Sequence, residues 1–263
     1  MVHTEFGNEI SGVPTFTATE FEQKRTKYCV LIPVLNEEHN IFAQFARMNP
    51  DLCDIIICDG GSADQSADLD MLSSHGVNAL LVKTGPGKQG AQLRMGFWWA
   101  LTRGYEGFIT VDGNNKDSVE DLSQFIEKLD DGYDFVQGSR YMPGGKAINT
   151  PLIRHLSVKL IHVPLIRLSS GFPFTDTTNA FRGHSKNYIT HADVQLFRDI
   201  FASYELLAYL SVRAKQLGLR VCEIPVCRAY PNTGKTPTKI SLIRGNTGLL
   251  KILIKNLGRS YHP

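Results

Sequence analysis

Two acidic residues end short apolar runs, Asp59 in DIIICD (54–59) and Asp112 in GFITVD (107–112). A strand that ends on an acid hands its carboxylate to the carboxyl edge of a sheet, where open α/β sheets bind ligands. Asn114 and Lys116 follow Asp112 at steps of two, with Gly113 between acid and amide. Asp112 and Asn114 can point into one site, with an ammonium beside them. Two strand-end aspartates on one edge argue for a site more strongly than either alone. A tight turn by itself would explain Gly60 and Gly61, which follow Asp59.

GPGKQG (85–90) matches G-x-G-x-x-G, follows an apolar run, opens a helical stretch and has Asp112 about 20 residues on. That is a complete dinucleotide fingerprint, and an NAD-dependent oxidoreductase is one reading of it. The fingerprint belongs on the first strand of such a domain, however, and two βα units precede this one. Plain helix packing would also use these glycines. The preferred reading is a cradle of backbone and Lys88 near a diphosphate. Lys88 lacks the glycine spacing and the following Ser/Thr of a P-loop. DGNNKDSVEDLS (112–123) lacks the sixth-position Gly and twelfth-position Glu of a calcium loop. Asp117 or Ser118 would cap the next helix, and Asp64 or Ser66 the one after Asp59. Neither cap accounts for Asp112 and Asn114.

Elements must hold these residues. YCVLIP (28–33), DIIICD (54–59), NALLV (78–82), GFITVD (107–112) and YDFVQGS (133–139) are short apolar runs. Helical stretches follow, to about Met48, to about Ser74, through Thr102 and over 118–129. This alternation predicts an α/β fold, a mostly parallel sheet with helices on both faces. After residue 140 the alternation stops. PLIRHLSVKLIHVPLIRLSSGF (151–172) reads as an amphipathic helix that Pro164 kinks or ends. SYELLAYLSVRAKQLG (203–218) reads as a helix stopped by Gly218, and RVCEIPVCRAYP (220–231) as an edge or bulged strand. KISLIRGNTGLLKILIKNLG (239–258) is again amphipathic, with Lys251 and Lys255 opposite Leu250, Leu253, Ile254 and Leu257. The expected organisation is a loosely ordered N-terminal extension (1–26), a catalytic domain (27–235) and a C-terminal amphipathic helical segment (236–263).

At 263 residues and 42% hydrophobic, the chain can build a core without disulfides. Its five cysteines show no metal-ligand spacing and read as buried thiols in a reducing compartment. The polar N-terminus is not a signal peptide, and no apolar run reaches the roughly 20 residues a bilayer span needs. The net charge of +2 hides an asymmetry. Residues 1–139 hold 10 Lys/Arg against 21 Asp/Glu, a net −11, and residues 140–263 hold 18 against 5, a net +13. A basic half on a near-neutral chain points to phosphate-bearing partners or an anionic membrane. Nucleic acid is not expected, because no recognition motif is present.

LIPVLNEEHNI, IIICDGGSADQS, GPGKQGAQLRMG, ITVDGNNKD, FVQGSRY, FTDTTNAFRGHS and EIPVCRAYPNTGKTPTKIS run in the order seen in family 2 glycosyltransferases. The chain most resembles their dolichyl-phosphate mannosyltransferase-like branch, including polyprenyl-phosphate glycosyltransferases, over about residues 28–245. The resemblance implies a GT-A fold with a nucleotide-sugar on the carboxyl edge of the sheet. Pro33, Leu35, Glu37 and Asp59 would lie around base and ribose, and Gly61, Lys88, Gly113 and Lys116 complete the donor-binding set. Asp112 and Asn114 stand where the family holds Mg²⁺ or Mn²⁺ with two acids. Arg140, Arg182 and Lys239 fall where that branch gathers cations around phosphates. The chain departs from the family pattern at Leu35, a frequent Tyr, at Gly60, a frequent Asp, and at Asn114. An amide is a poorer ligand for a hard dication than a carboxylate, so the metal is expected to be weakly held or dispensable.

The implied reaction is an inverting displacement of nucleoside diphosphate. A lipid-phosphate acceptor attacks already ionised and needs no base. A glycan hydroxyl, as in cell-surface polysaccharide synthesis, needs one, and Asp176 in FTDTTN is the candidate, with an Asx-turn as its plain alternative. Solvated helix faces would explain either basic amphipathic segment alone. Together with the basic half they suggest a peripheral protein on the cytoplasmic face of a membrane. A binding protein that kept the fold without the chemistry is the remaining alternative.

Overall fold

A computed structural model describes residues 1–7, 11–231 and 244–263. Among these, the strands are β1 (Val2–Phe6), β2 (Phe16–Glu20), β3 (Tyr28–Val34), β4 (Asp54–Asp59), β5 (Ala79–Lys83) and β6 (Gly107–Thr110). They continue with β7 (Phe135–Ser139), β8 (Lys146–Ile148), β9 (Arg182–Ser185), β10 (Val221–Pro225) and β11 (Cys227–Ala229). The helices are α1 (Glu38–Phe45), α2 (Leu69–Ser74), α3 (Gln89–Thr102), α4 (Leu122–Asp130), α5 (Leu152–Ser157), α6 (Val163–Ser170), α7 (Lys186–Ile189), α8 (Glu205–Gln216) and α9 (Arg244–Leu257).

The main sheet runs β1-β2-β5-β4-β3-β6-β9-β7-β10. β5, β4, β3 and β6 are parallel neighbours, and β7 pairs parallel with β10. From β3 the chain winds outward through β4 to β5, then returns to place β6 on the other side of β3. The strand order therefore reverses between β3 and β6, and a crevice opens at their carboxyl ends. Along β3 and β4, Val30, Ile32, Ile55 and Ile57 join one core while Cys29, Leu31, Ile56 and Cys58 join the other. That period-2 split buries both faces, as helix-covered parallel strands require.

Residues 1–26 are not the loosely ordered extension the sequence suggested. Among the described ones, β1 and β2 pair antiparallel and β2 continues the sheet antiparallel to β5. VHTEF and FTATE carry few apolar residues, yet Phe16 and Ala18 are buried and Phe6 stacks on Phe16 at 4.6 Å. Antiparallel β9 sits between β6 and β7. β10 is the far edge of the sheet and ends on Pro225, where a missing N–H costs nothing. The chain then starts β11, which pairs with β8 in a second small sheet.

Pro164 neither ends nor breaks its helix. α5 passes into a π-helical turn, Val158–His162, and on into α6. The widened turn falls where the proline ring removes a regular i to i−4 bond. Along this helix Leu152, Ile153, Leu156, Leu160, Ile161 and Leu168 are exposed, Leu160 by 71%. On α9, which packs on α6 and α8, Leu253 is buried but Leu250, Ile254 and Leu257 remain at the surface. Among the described residues no helix is long and apolar enough to cross a membrane. All five cysteines are free thiols.

Candidate active site

Asp112 lies just past β6, at the crevice between β6 and β3. Its loop is clamped from two sides. On the α1 side, Asn115 N–H donates to Gln44 Oε1 at 2.9 Å, and Arg47 Nη1 donates to Asn115 Oδ1 at 2.8 Å. Asn115 takes a positive φ of 54°, a conformation Asn tolerates better than most residues. On the other side, Ala229 N–H donates to the Lys116 carbonyl at 2.8 Å, and Ser118 N–H to the Cys227 carbonyl at 2.9 Å. β11 is thus laced to the loop by backbone, and this brings in Arg228.

Arg228 Nη2 donates to Asp112 Oδ2 at 3.1 Å, and its Nη1 donates to Asp117 Oδ2. Asp112 Oδ1 accepts from Gln89 Nε2 at 3.1 Å, while Asn114 Nδ2 approaches Oδ2 at 3.4 Å. The Asp112 side chain is 23% exposed, whereas that of Asp117 is fully buried. Burial pushes the Asp117 carboxyl up to about 6 against the pull of Arg228. Burial also works against the Arg228 charge, but Asp117 and Asp112 outweigh it and hold the guanidinium protonated. Arginine keeps its proton in proteins, so Asp117 is the member of the pair that titrates.

Further cations gather around Tyr230. Arg154 Nη1 donates to its hydroxyl at 2.7 Å. Lys116 Nζ lies 5.4 Å, and the Arg228 guanidinium 5.8 Å, from its ring centre. Burial would raise the Tyr230 hydroxyl, but Arg228, Arg154 and Arg140 together hold it below the usual phenol range. Lys116 is itself held below the usual ammonium range, by burial first and then by the charge of Arg228. Cations from the basic half of the chain thus converge on an edge supplied by the acidic half.

At the end of β3, Asn36 takes a positive φ of 51°, and Glu37 N–H donates to Ser66 Oγ at 2.8 Å. A hollow of about 230 Å³ lies there, lined by Asn36, Glu37, Glu38, His39, Asn40 and Asp64.

No protein-family model matches the chain. The polyprenol monophosphomannose synthase of Mycolicibacterium smegmatis is 28% identical over 243 residues, 90% of each chain. The undecaprenyl-phosphate mannosyltransferase of Micrococcus luteus is 27% identical over 201 residues, 74% of this chain and 81% of that one. The fold overlays on glucosyl-3-phosphoglycerate synthase from Mycobacterium tuberculosis, solved with Mn²⁺, UDP and glucosyl-3-phosphoglycerate. That match has a TM-score of 0.61 and 17% identity over 88% of this chain and 80% of that one. The chain is a GT-A glycosyltransferase.

In this transferase, Asp112, Gly113, Asn114 and Lys116 stand together at the strand-order reversal, with Glu37 nearby across the crevice. Gly113 is there for packing, since a Cβ would meet Val34 Cγ2 at 3.0 Å. Pro33 is half-buried in β3, and Leu35 is exposed beyond it. Asp59 is fully buried, and its carboxylate accepts from the amides of Gly61, at 2.7 Å, and Ser62, at 2.9 Å. It shapes the turn. The glycines of 85–90 pack the start of α3: a Cβ on Gly90 would meet Phe201 O at 2.4 Å, and one on Gly87 would meet the Ala91 Cβ at 2.5 Å. The amides of Lys88 and Ala91 both reach the Ala202 carbonyl, at 2.8 and 3.4 Å. α3 follows β5, the third parallel strand and not the first, which argues against the dinucleotide reading, and its first residue, Gln89, brings the helix start to Asp112 at the crevice. Lys88 itself is exposed.

Arg140 and Asp176 are buried on one another, Nε to Oδ2 at 2.6 Å and Nη2 to Oδ1 at 3.1 Å. Burial would raise the Asp176 carboxyl, but Arg140 more than offsets it and holds it below the usual carboxylate range. A buried, already ionised acid with both oxygens engaged is poorly suited to take a proton. Arg182 is also buried and donates to the carbonyls of Asn179, Leu207 and Thr177. Burial pushes it down to about 10. It braces backbone and does not present its charge to a phosphate. Lys239 lies outside the described residues. The expected cap at Ser118 is instead an acceptor for Cys227 N–H at 2.9 Å, and Asp117 serves Arg228. Asp64 takes Ser66 N–H at 3.0 Å and caps only a single turn over 65–67, while α2 itself is capped by Asp68, which accepts from Met71 N–H at 2.8 Å.

Arg228, Gln89, Arg154 and Tyr230 were not singled out in the sequence. An arginine inside the strand run VCRAY was the available signal, because an unpaired charge is costly to bury there.

As placed, Asp112 and Asn114 do not make a dication site. Asn114 Oδ1 is buried without a hydrogen-bond partner and is one candidate ligand. The one carboxylate beside it, however, already receives Arg228, Gln89 and Asn114. Hard dications take several oxygen ligands, usually including free carboxylates. Among the described residues no group of three or more His, Cys, Asp or Glu is placed to hold a metal.

Proposed function

We propose that this transferase moves a sugar, with inversion, from a nucleotide-sugar to a polyprenyl phosphate at a membrane surface. The observation that carries the reading is the convergence of Lys116, Arg154 and Arg228 on Tyr230, beside Asp112 at the strand-order reversal. Negative charge grows on the leaving diphosphate, and fixed cations there stabilise it without reorganising. The relatives' names supply the acceptor class. A phosphate monoester carries its attacking charge near neutral pH, which suits a site whose one candidate base, Asp176, is locked to Arg140. Asp112 orients the cationic groups and no step is assigned to a metal.

The helix over 152–170 supports attachment to the membrane. Its exposed leucines and isoleucines run beside Lys159 and Arg167, the pattern of a helix lying in the headgroup layer. Five free thiols suit the cytoplasmic face. The test is nucleoside diphosphate release from a panel of UDP-, GDP-, CDP- and dTDP-sugars in liposomes containing polyprenyl phosphate or the matching polyprenol. Release that requires the phosphate supports the proposal. Release with polyprenol, or with neither lipid, contradicts it.

A further inference from the structure

Asp112, Arg228 and Asp117 form a chain of charges with the arginine in the middle. The arginine side chain is 9% exposed, so it is held inside the fold, with its outer neighbour Asp112 at the crevice. Its position is set by backbone before any ligand arrives. Asp117 and Arg228 bridge as antiparallel neighbours, and the flanking Ala229 N–H and Cys227 O bond to Lys116 and Ser118. Cys227 N–H also donates to Ser118 Oγ at 2.9 Å. Asp112 and Asp117 on one side, Arg228 and Lys116 on the other, give a locally balanced set. A dication entering here would meet two fixed positive charges and a carboxylate that is already shared. Removing Arg228 from between its acids would leave buried carboxylate charge uncompensated, which is costly.

We infer that Arg228, backed by Lys116, is the resident cation of the donor diphosphate in this chain and stands in place of a bound dication. The inference rests on reading this edge as the donor site. A guanidinium offers donors in a rigid fork that matches phosphate oxygens, and it needs no metal to do so. Asp112 then serves to aim the fork as well as to lend charge. Asp117, from beneath, keeps the guanidinium from turning away.

The test is direct binding of UDP and GDP to the full chain by calorimetry, in EDTA and in saturating Mn²⁺, with no turnover required. The wild type is expected to bind at least one of them equally well in both conditions. Arg228→Gln should lose about tenfold or more in EDTA, the scale of a lost charge-assisted hydrogen bond, and should recover in Mn²⁺. Arg228→Lys should keep part of the metal-free binding. If Arg228→Gln does not fold, the wild-type comparison and Arg228→Lys still decide. Wild-type binding that requires Mn²⁺ overturns the inference and leaves the donor-site reading standing. An Arg228→Gln protein that is less stable yet binds in EDTA like wild type also overturns it, since the arginine would then be structural only. Absence of nucleotide binding in either condition overturns the donor-site reading itself, and the inference with it.

Discussion

Arg140 and Asp176 close a two-pronged ion pair inside the protein, with Nε to Oδ2 at 2.6 Å and both side chains at most 2% exposed. Thr178 adds its amide and hydroxyl to Asp176 Oδ1 at 3.0 and 2.9 Å. Removing one partner strands a buried charge. Asp176→Asn should therefore cost about 3–5 kcal/mol of stability, measured by urea unfolding. A variant that is as stable as wild type but inactive would show that Asp176 acts as a base after all.

Asp112 presents a different case. It is partly exposed at the crevice and aims Arg228. Asp112→Asn should cut turnover by about 100-fold or more, the scale of losing a key electrostatic group, while the unfolding midpoint changes little. Steady-state kinetics with a confirmed donor checks this. Turnover near the wild-type rate would remove Asp112 from the site.

His184 gives a pH prediction. It is fully buried among Phe97, Phe135 and Tyr188, and neither ring nitrogen has a hydrogen-bond partner. Burial, then the charge of Arg182, holds it well below its ordinary value. The folded state thus keeps it neutral while the unfolded chain protonates below about 6.5. Stability from this group is present above that pH and is lost as pH falls through it, by up to about 1.4 kcal/mol per unit. His184→Phe should flatten the fall in melting temperature between about pH 6.5 and 5. An unchanged slope would assign the acid sensitivity to other groups.

The membrane surface is open to the same kind of test. Ile153 and Leu160 are 70% and 71% exposed on the helix over 152–170, so replacing them removes no core contact. The wild type should sediment with anionic liposomes and come off in high salt, because surface attraction is screened. The double variant Ile153→Glu and Leu160→Glu should stay in the supernatant with an unchanged melting temperature. Equal sedimentation of both would place the contact elsewhere.

The part of the site that the sequence shows is the part made by local rules. Asp112 was visible because a short apolar run ends on it, and the five βα runs appear as β3 to β7 within a few residues. Arg228 was hidden because it meets Asp112 across 116 residues of chain, through a pairing of β11 with a loop that no local pattern announces. Arg182 misled for the converse reason. Its motif gives the residue type, but only the fold shows that three carbonyls surround it. β1 and β2 were missed because they carry few apolar residues, and β2 finds its place through long-range pairing with β5 while β1 is the edge beyond it.

The most direct measurement is the identity of the product. The transferase is incubated with its accepted nucleotide-sugar and polyprenyl phosphate in liposomes, and the lipid phase is analysed by mass spectrometry and phosphorus NMR. The expected product is one sugar joined to the lipid phosphate, with the anomeric configuration opposite to that of the donor. A retained configuration, or nucleotide release with no sugar in the lipid phase, would contradict it.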